Sequence, residues 1–434
     1  MRAGSLYSAS EGCHGQKLHA SRGIQGILGA VGKAADGGLI MTISTILPPA
    51  ERASLRLGFL KLTDSAPLIM AYEMGFFDQY GLDVTLHREV SWANLRDKLV
   101  AGVIDSGSLL APLPIVTTLG LGGMREPLVT GLVLSLNGNA ITISSQLAVE
   151  LDLNIASVHP AVVATSLAKY IKATGRSMTF ATVHTFSCHT MLLRHWLQLG
   201  GLLGRGLVRI VTVPPEQMAD SLANGIVDGY CAGAPWNTVS VTRGTGVVVA
   251  TGYDIWNNAP EKVLGVTETW HCSNPSTHLR LRMALMEACE WLASYENRAR
   301  AAEVLSRPEY LDLPVPSLRP SLTGNYVFAR GQEPAQQPHF HLFHRFQAGF
   351  PWHSDAEWML SQVDELVPPS VARLKNSNVV SQVFRTDLYR EASDQLGWVC
   401  PSTNHRPFGV HDDPWEVEPG IELGADRLLK LAQG

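Results

Sequence analysis

The sequence is poor in charge. Asp, Glu, Lys and Arg make up 17% of its 434 residues, against about 25% in an average soluble domain. Its 39 acids outnumber its 34 bases, which excludes a basic surface built to coat nucleic acid. It has no run of 18 or more apolar residues, so no transmembrane helix is expected. The six cysteines, at 13, 188, 231, 272, 289 and 400, show no C-x-x-C spacing. That argues against a zinc ribbon or a disulfide scaffold and fits a reducing compartment. P-loop, G-x-S-x-G and H-E-x-x-H motifs are absent, and Gly120-Leu-Gly-Gly123 is too short for a dinucleotide fingerprint. What remains is a soluble, non-basic chain long enough for two or three domains.

Residues 1–53 are rich in Gly, Ala and Ser, with one weakly apolar stretch, Gly23–Gly32, ended by Lys33 and Asp36. A secretory signal needs a stronger apolar segment, and a lipoprotein cysteine would follow that segment, whereas Cys13 precedes it. The expectation is a disordered leader, or a start at Met41, without an export signal. From Leu55 the pattern becomes regular. Strand-length runs at Leu55–Leu60, Val84–Val90, Met178–Thr182, Leu207–Val213 and Gly246–Thr251 alternate with helical segments at Trp92–Ala101, Ala161–Thr174, His189–Leu199 and Pro214–Asn224. Ser91 caps the first of these helices and Gly102 supplies its left-handed exit. Such alternation implies βαβ units and a mostly parallel sheet.

Residues 98–107 and 221–230 both read as helix end, Gly, two aliphatics, Asp and a small residue. The repeat implies two lobes on one plan, with strand ends facing a shared cleft. Leu128–Ser144, with Asn137-Gly138 between apolar strands, reads as a hairpin-like step where one lobe hands the chain to the other. A long helix follows Asn274, and beyond Pro308 a segment rich in Pro, His and aromatics is expected to wrap the lobes. The expected division is 1–53 as leader, 54–150 as the first part of lobe 1, 151–265 as lobe 2, and 266–434 as the return to lobe 1 with the wrap.

Candidate chemistry gathers at helix mouths, where unpaired N–H groups and the helix dipole favour anions. Trp92 lies in the first turn after Ser91, His189 opens a helix, and Gly233 ends a strand before Pro235-Trp236. Asn139 adds an amide and Lys262 a full positive charge. All are donors, which suits a small anion that only accepts hydrogen bonds. The plainer readings are a core indole for Trp92 and a solvated amine for Lys262. His339-Phe-His-Leu-Phe-His344 can be a metal cluster or, as expected here, a packing segment. Cys188-His189 lacks the orienting carboxylate of a nucleophile–base pair. No catalytic residue, metal or cofactor is expected.

Several ordered stretches carry a family likeness. They are Leu57-Gly-Phe-Leu-Lys-Leu-Thr-Asp-Ser-Ala-Pro-Leu68, Gly75-Phe-Phe77, Ser91-Trp92, Ala111-Pro-Leu-Pro114, Thr185-Phe186, His189 with Arg194-His195-Trp196, Gly233-Ala-Pro-Trp-Asn237 and Pro260-Glu-Lys-Val-Leu-Gly265. Through them the sequence resembles the nitrate/bicarbonate solute-binding protein family over about residues 55–270, and more weakly to near the C-terminus. The resemblance implies an α/β, two-lobed type II periplasmic-binding-protein fold with a cleft between the lobes. It implies a nitrate site of Trp92, His189, the Gly233 backbone N–H and Lys262. The family's Gln falls on Asn139, which is one methylene shorter. Bicarbonate carries an O–H that wants an acceptor, so nitrate, with nitrite close behind, is the expected ligand. The resemblance and the missing export signal together favour a cytoplasmic nitrate/nitrite sensor that sequesters an ANTAR-type RNA-binding antiterminator. Direct nucleic-acid contact and a membrane span are not expected. The alternative is an extracytoplasmic nitrate-binding subunit, periplasmic or lipid-anchored, serving the permease of an ABC importer.

Overall fold

Strand pairing divides the chain between two mixed sheets in this computed structural model, which describes residues 47–154, 159–204, 206–368 and 378–430. The first sheet takes β1 (Ser54–Phe59), β2 (Asp83–Arg88), β3 (Ser106–Leu110), β4 (Leu128–Val129) and β5 (Val133–Asn137). The second takes β6 (Asn139–Ser144), β7 (Met178–Thr182), β8 (Val208–Thr212), β9 (Gly229–Gly233) and β10 (Gly246–Thr251). Then β11 (Pro260–Thr267) returns to the first sheet, whose far edge is the short strand His341–Leu342. The leader expected at 1–53 lies outside the described residues as far as residue 46. Residues 47–53 pack on the helix Pro275–Trp291: Arg280 donates to the Leu47 and Pro48 carbonyls, and the Glu51 carboxylate accepts from the Ser276 and Thr277 N–H groups.

The two lobes share one plan. Across the first sheet the order runs β5-β11-β3-β1-β2, and across the second β10-β6-β9-β7-β8. In each, a parallel trio (β3-β1-β2 or β9-β7-β8) is flanked by an antiparallel strand arriving from the other sheet, β11 or β6. The repeated ten-residue segment sits at equivalent joints. Gly102 and Gly225 adopt φ of 70° and 66°, and the aspartate three residues on grips the neighbouring parallel strand. Asp105 Oδ2 accepts from Arg56 N at 2.8 Å, and Asp228 Oδ2 accepts from Thr179 N at 2.8 Å. In return, Asp105 N donates to Arg56 O and Asp228 N to Thr179 O.

Two local expectations fail. The sheets are mixed rather than mostly parallel, because β6 and β11 each cross between lobes and enter the receiving sheet antiparallel. Asn137-Gly138 closes no hairpin: β5 pairs with β11 and His341–Leu342, while β6 pairs with β9 and β10. Both strands are buried along most of their length and so find partners on two sides, which a solvent-facing hairpin would not. Positive φ at Asn137 (59°) and Gly138 (84°) turns the chain from one sheet into the other. The second crossing runs beside it, since Asn137 N donates to Ala259 O and Asn137 Oδ1 accepts from Ala259 N.

Helices after residue 308 (Val315–Thr323, His353–Leu366, Val379–Val383 and Thr386–Leu396) place apolar side chains in the same core as the sheets. A buried ion pair, Arg406 to Asp355 at 2.9 Å, ties the C-terminal segment down, and Arg406 also donates to Asn258 O. The rings of His339, His341 and His344 pack on Tyr253, Phe343 and Trp398 respectively. Among the described residues no group of His, Cys, Asp and Glu is arranged to hold a metal ion. Removing either aspartate clasp, in Asp105→Ala or Asp228→Ala, is expected to lower unfolding free energy by about 1.5–3 kcal/mol, the worth of hydrogen bonds to a charged acceptor. Urea melts check this, with the exposed neighbour change Val103→Ser expected to stay within about 0.5 kcal/mol of the parent.

Candidate functional site

Parallel strands aim their carboxyl ends at the gap between the lobes. The loop after β1 brings Thr63-Asp64-Ser65, a single 3-10 turn. After β2, Ser91 Oγ accepts from Asn94 N at 3.2 Å and starts the helix Trp92–Val100 with the indole inward. Following β7, Ser187 Oγ accepts from Thr190 N at 3.1 Å and starts Cys188–Leu199, with His189 in its first turn. Gly233 ends β9, while Asn139 and Lys262 come from the entering ends of β6 and β11. Adjacent strand residues normally face opposite ways. Here β11 bulges against β5, Pro260 pairing with Leu136 and Lys262 with Ser135, so Glu261 is an extra residue and turns into the same space as Lys262.

All five residues expected from sequence converge, around two carboxyl groups that were not expected. Lys262 Nζ lies 2.8 Å from Asp64 Oδ2, 2.6 Å from Glu261 Oε1 and 5.1 Å from the centre of the Trp92 ring. His189 Nε2 is 3.1 Å from Glu261 Oε1, and Asn139 Nδ2 donates to Glu261 Oε2 at 2.6 Å. A Cβ added at Gly233 would stand 3.4 Å from Asp64 Oδ2 and 3.6 Å from His189 Nε2. Asp64, Asn139, His189, Glu261 and Lys262 are wholly buried and Trp92 nearly so. The absence of carboxylates, on which the preference for nitrate over bicarbonate rested, is therefore corrected. Glu261-Lys262 was legible as a doubly charged step inside an apolar strand, which demands pairing. Asp64 stood in the sequence only within the Leu57–Leu68 stretch, with no charged partner beside it.

Burial decides the protonation states. It pushes the Asp64 carboxyl up to about 6, against the pull of Lys262 in the opposite direction. His189 falls well below the usual imidazole range, from burial first and then Lys262, and is neutral. Burial works against the Lys262 ammonium too, but Asp64 and Glu261 outweigh it and hold the amine charged. Cys188 Sγ donates to Pro260 O, and burial lifts the thiol well above its ordinary range, so it is no nucleophile. Several polar atoms here have no hydrogen-bond partner among the described residues: Trp92 Nε1, both ring nitrogens of His189, Asn139 Oδ1 and Asp64 Oδ1. Each such buried atom costs about 1–3 kcal/mol, a cost that a hydrogen-bonding ligand would offset.

Contacts across the gap enclose the site. Thr63 N and Oγ1 both donate to Ala234 O, at 2.9 and 3.2 Å. Trp236 Nε1 donates to Lys61 O at 3.2 Å, and Lys61 Nζ lies 3.6 Å from Glu216. The Lys262 ammonium lies behind these contacts, wholly buried.

The comparisons with known proteins point one way. A family model described as "NMT1-like family" matches residues 48–306. The nitrate import ATP-binding protein NrtC of Synechocystis sp. is 34% identical over 365 residues, 83% of this chain and 53% of that one. The bicarbonate transport ATP-binding protein CmpC of the same organism is 33% identical over 359 residues, 80% of this chain and 51% of that one. This chain thus spans about half the length of those relatives. Among solved structures, the periplasmic nitrate-binding protein NrtA from Synechocystis PCC 6803 superposes with a TM-score of 0.74 at 29% identity, covering 82% of this chain and 93% of that one.

Replacing Lys262 with Met would strand two buried carboxyl groups, at about 3–5 kcal/mol. The stranded groups hold protons more tightly folded than unfolded, so their penalty grows as pH rises. Denaturant melts of Lys262→Met are expected to show a larger deficit from the parent at pH 8 than at pH 5; an equal deficit would mean that the carboxyls do not depend on this amine.

Proposed function

This chain belongs to the NMT1-like family, and from that premise we propose that it binds nitrate or nitrite and delivers it to the permease of an ABC importer. The observation that carries the reading is the set of buried polar atoms around a charged lysine that have no partner among the described residues, above all the Trp92 indole N–H and the His189 imidazole. A planar monoanion beside Lys262 would accept from the indole, from a neutral imidazole and from the ammonium. The Gly233 backbone lines the same space because it has no side chain to fill it. Four charge-assisted bonds supply roughly 6–12 kcal/mol gross, and micromolar affinity needs about 8. The enclosure between lobes supplies the preorganisation that closes the difference. The protein is a binding protein on this reading, with no reaction assigned to it.

The importer partnership draws on the names of the similar proteins, one a nitrate import component and one a periplasmic nitrate-binding protein. It replaces the cytoplasmic sensor as the working reading. The ANTAR-type partner rests on the sequence resemblance alone. No helix among the described residues is long and apolar enough to cross a membrane. Bicarbonate stands as the second reading because Asp64 and Glu261 offer the acceptor its O–H requires, and a bicarbonate transport protein is among the relatives.

Calorimetric titration with nitrate, nitrite and bicarbonate separates these ligands. Nitrate is expected to bind in the micromolar range. His189→Ala should weaken it tenfold or more, the loss of one charge-assisted bond. Gly233→Ala should do likewise while still folding, since its tightest contact is 3.3 Å to the Leu62 Cδ2 methyl, a side-chain end that needs to shift by only a few tenths of an ångström. Unchanged nitrate curves for both variants would remove the assignment of this site.

A further inference from the structure

The charges enclosed at Lys262 do not leave room for a further negative one. One ammonium faces two carboxyl groups, and the imidazoles and thiols close by are neutral. His189 and the Cys188 thiol, both from the helix Cys188–Leu199, are kept uncharged by burial. So are the Cys231 thiol on β9 and the His341 imidazole, whose Nε2 lies 2.8 Å from Thr63 Oγ1 with Arg298 bonded to its carbonyl. Lys61 and Glu216, at the rim, pair with each other. With both carboxyls ionised the centre carries a net negative charge, and a monoanion would double it in a place without solvent.

The two carboxyls are not equivalent. Glu261 has a donor at each oxygen, Lys262 at Oε1 and Asn139 at Oε2, with His189 Nε2 3.1 Å from Oε1. Among the described residues Asp64 shares only the ammonium, through Oδ2, and its Oδ1 is buried without a partner. Its Oδ2 and His189 Nε2 flank the same point in front of Gly233. A proton on Asp64 would cancel one charge, release Lys262 toward the ligand, and turn a repelling oxygen into a hydroxyl donor.

We infer that the site takes up its monoanion together with one proton, and that Asp64 is the group that holds the proton. The inference rests on the nitrate reading and deepens it. The proton comes from the buffer acid and forms an O–H bond on the Asp64 carboxyl; the anion itself is unchanged. By linkage, anion binding raises the affinity for the proton and the proton raises the affinity for the anion. Burial already lifts the Asp64 carboxyl to about 6 without any ligand, which places the coupling on the neutral side of that value.

Titration calorimetry of the full chain with sodium nitrate, in phosphate and in Tris at pH 7.5, counts protons from the difference in apparent enthalpy. The expected result is about one proton taken up per nitrate, with affinity falling about tenfold per pH unit from pH 7 toward 9. In Asp64→Asn the uptake should vanish and the affinity should become flat over that range. Nitrate binding with no proton uptake and flat affinity in the parent overturns the inference while leaving the nitrate reading intact. Uptake that persists in Asp64→Asn removes Asp64 as the carrier. Failure of nitrate to bind at any pH from 5 to 9 overturns the nitrate reading and this inference with it. The parent's proton count decides the coupling even if the variant does not fold.

Discussion

Lys262 carries an ammonium into a place with no exposed surface, and two carboxyl groups hold it there. Almost everything else about the site follows from that ion triad. A lone buried charge would be prohibitive, and a single carboxylate would leave the amine's remaining N–H groups without partners. With Asp64 from the loop after β1 and Glu261 from its own strand, the amine stays charged despite burial. Glu261 then reaches across the gap to Asn139 and His189, which belong to the other lobe. The triad is thus both the electrostatic centre of the site and one of the ties between the lobes.

The duplicated architecture explains how such a centre can be assembled. Each lobe supplies a parallel trio whose carboxyl ends face the gap, pinned by the same aspartate clasp. Each also receives one strand from the other side, and the two crossings lie against one another at Asn137 and Ala259. Asn139 and Lys262 stand just beyond those crossings, at the equivalent starts of β6 and β11. The crossings and the contacts around Glu261 thus tie the lobes together at the same place.

Much of this was legible from local chemistry. The Ser91 and Ser187 caps, the left-handed glycines at 102 and 225, and the runs at 178–182 and 246–251 are properties of a few consecutive residues. Helix mouths also revealed Trp92 and His189, because unpaired N–H groups at such ends are fixed by the backbone itself. What escaped was set by partners far along the chain. Asn137-Gly138 has the local signature of a hairpin, but its flanking strands find better partners in two different sheets. Glu261 turns beside Lys262 only because β11 bulges against β5. Asp64 has no charged partner beside it in sequence, because the amine that pairs with it lies nearly two hundred residues onward.

The most direct measurement is a crystal structure of the full chain grown in nitrate. A planar anion is expected in front of Gly233, within hydrogen-bond distance of Trp92 Nε1, His189 and Lys262 Nζ, with Asp64 against it. An anion bound elsewhere, with Trp92 Nε1 still unpartnered and Lys262 still held by both carboxyls, would contradict it.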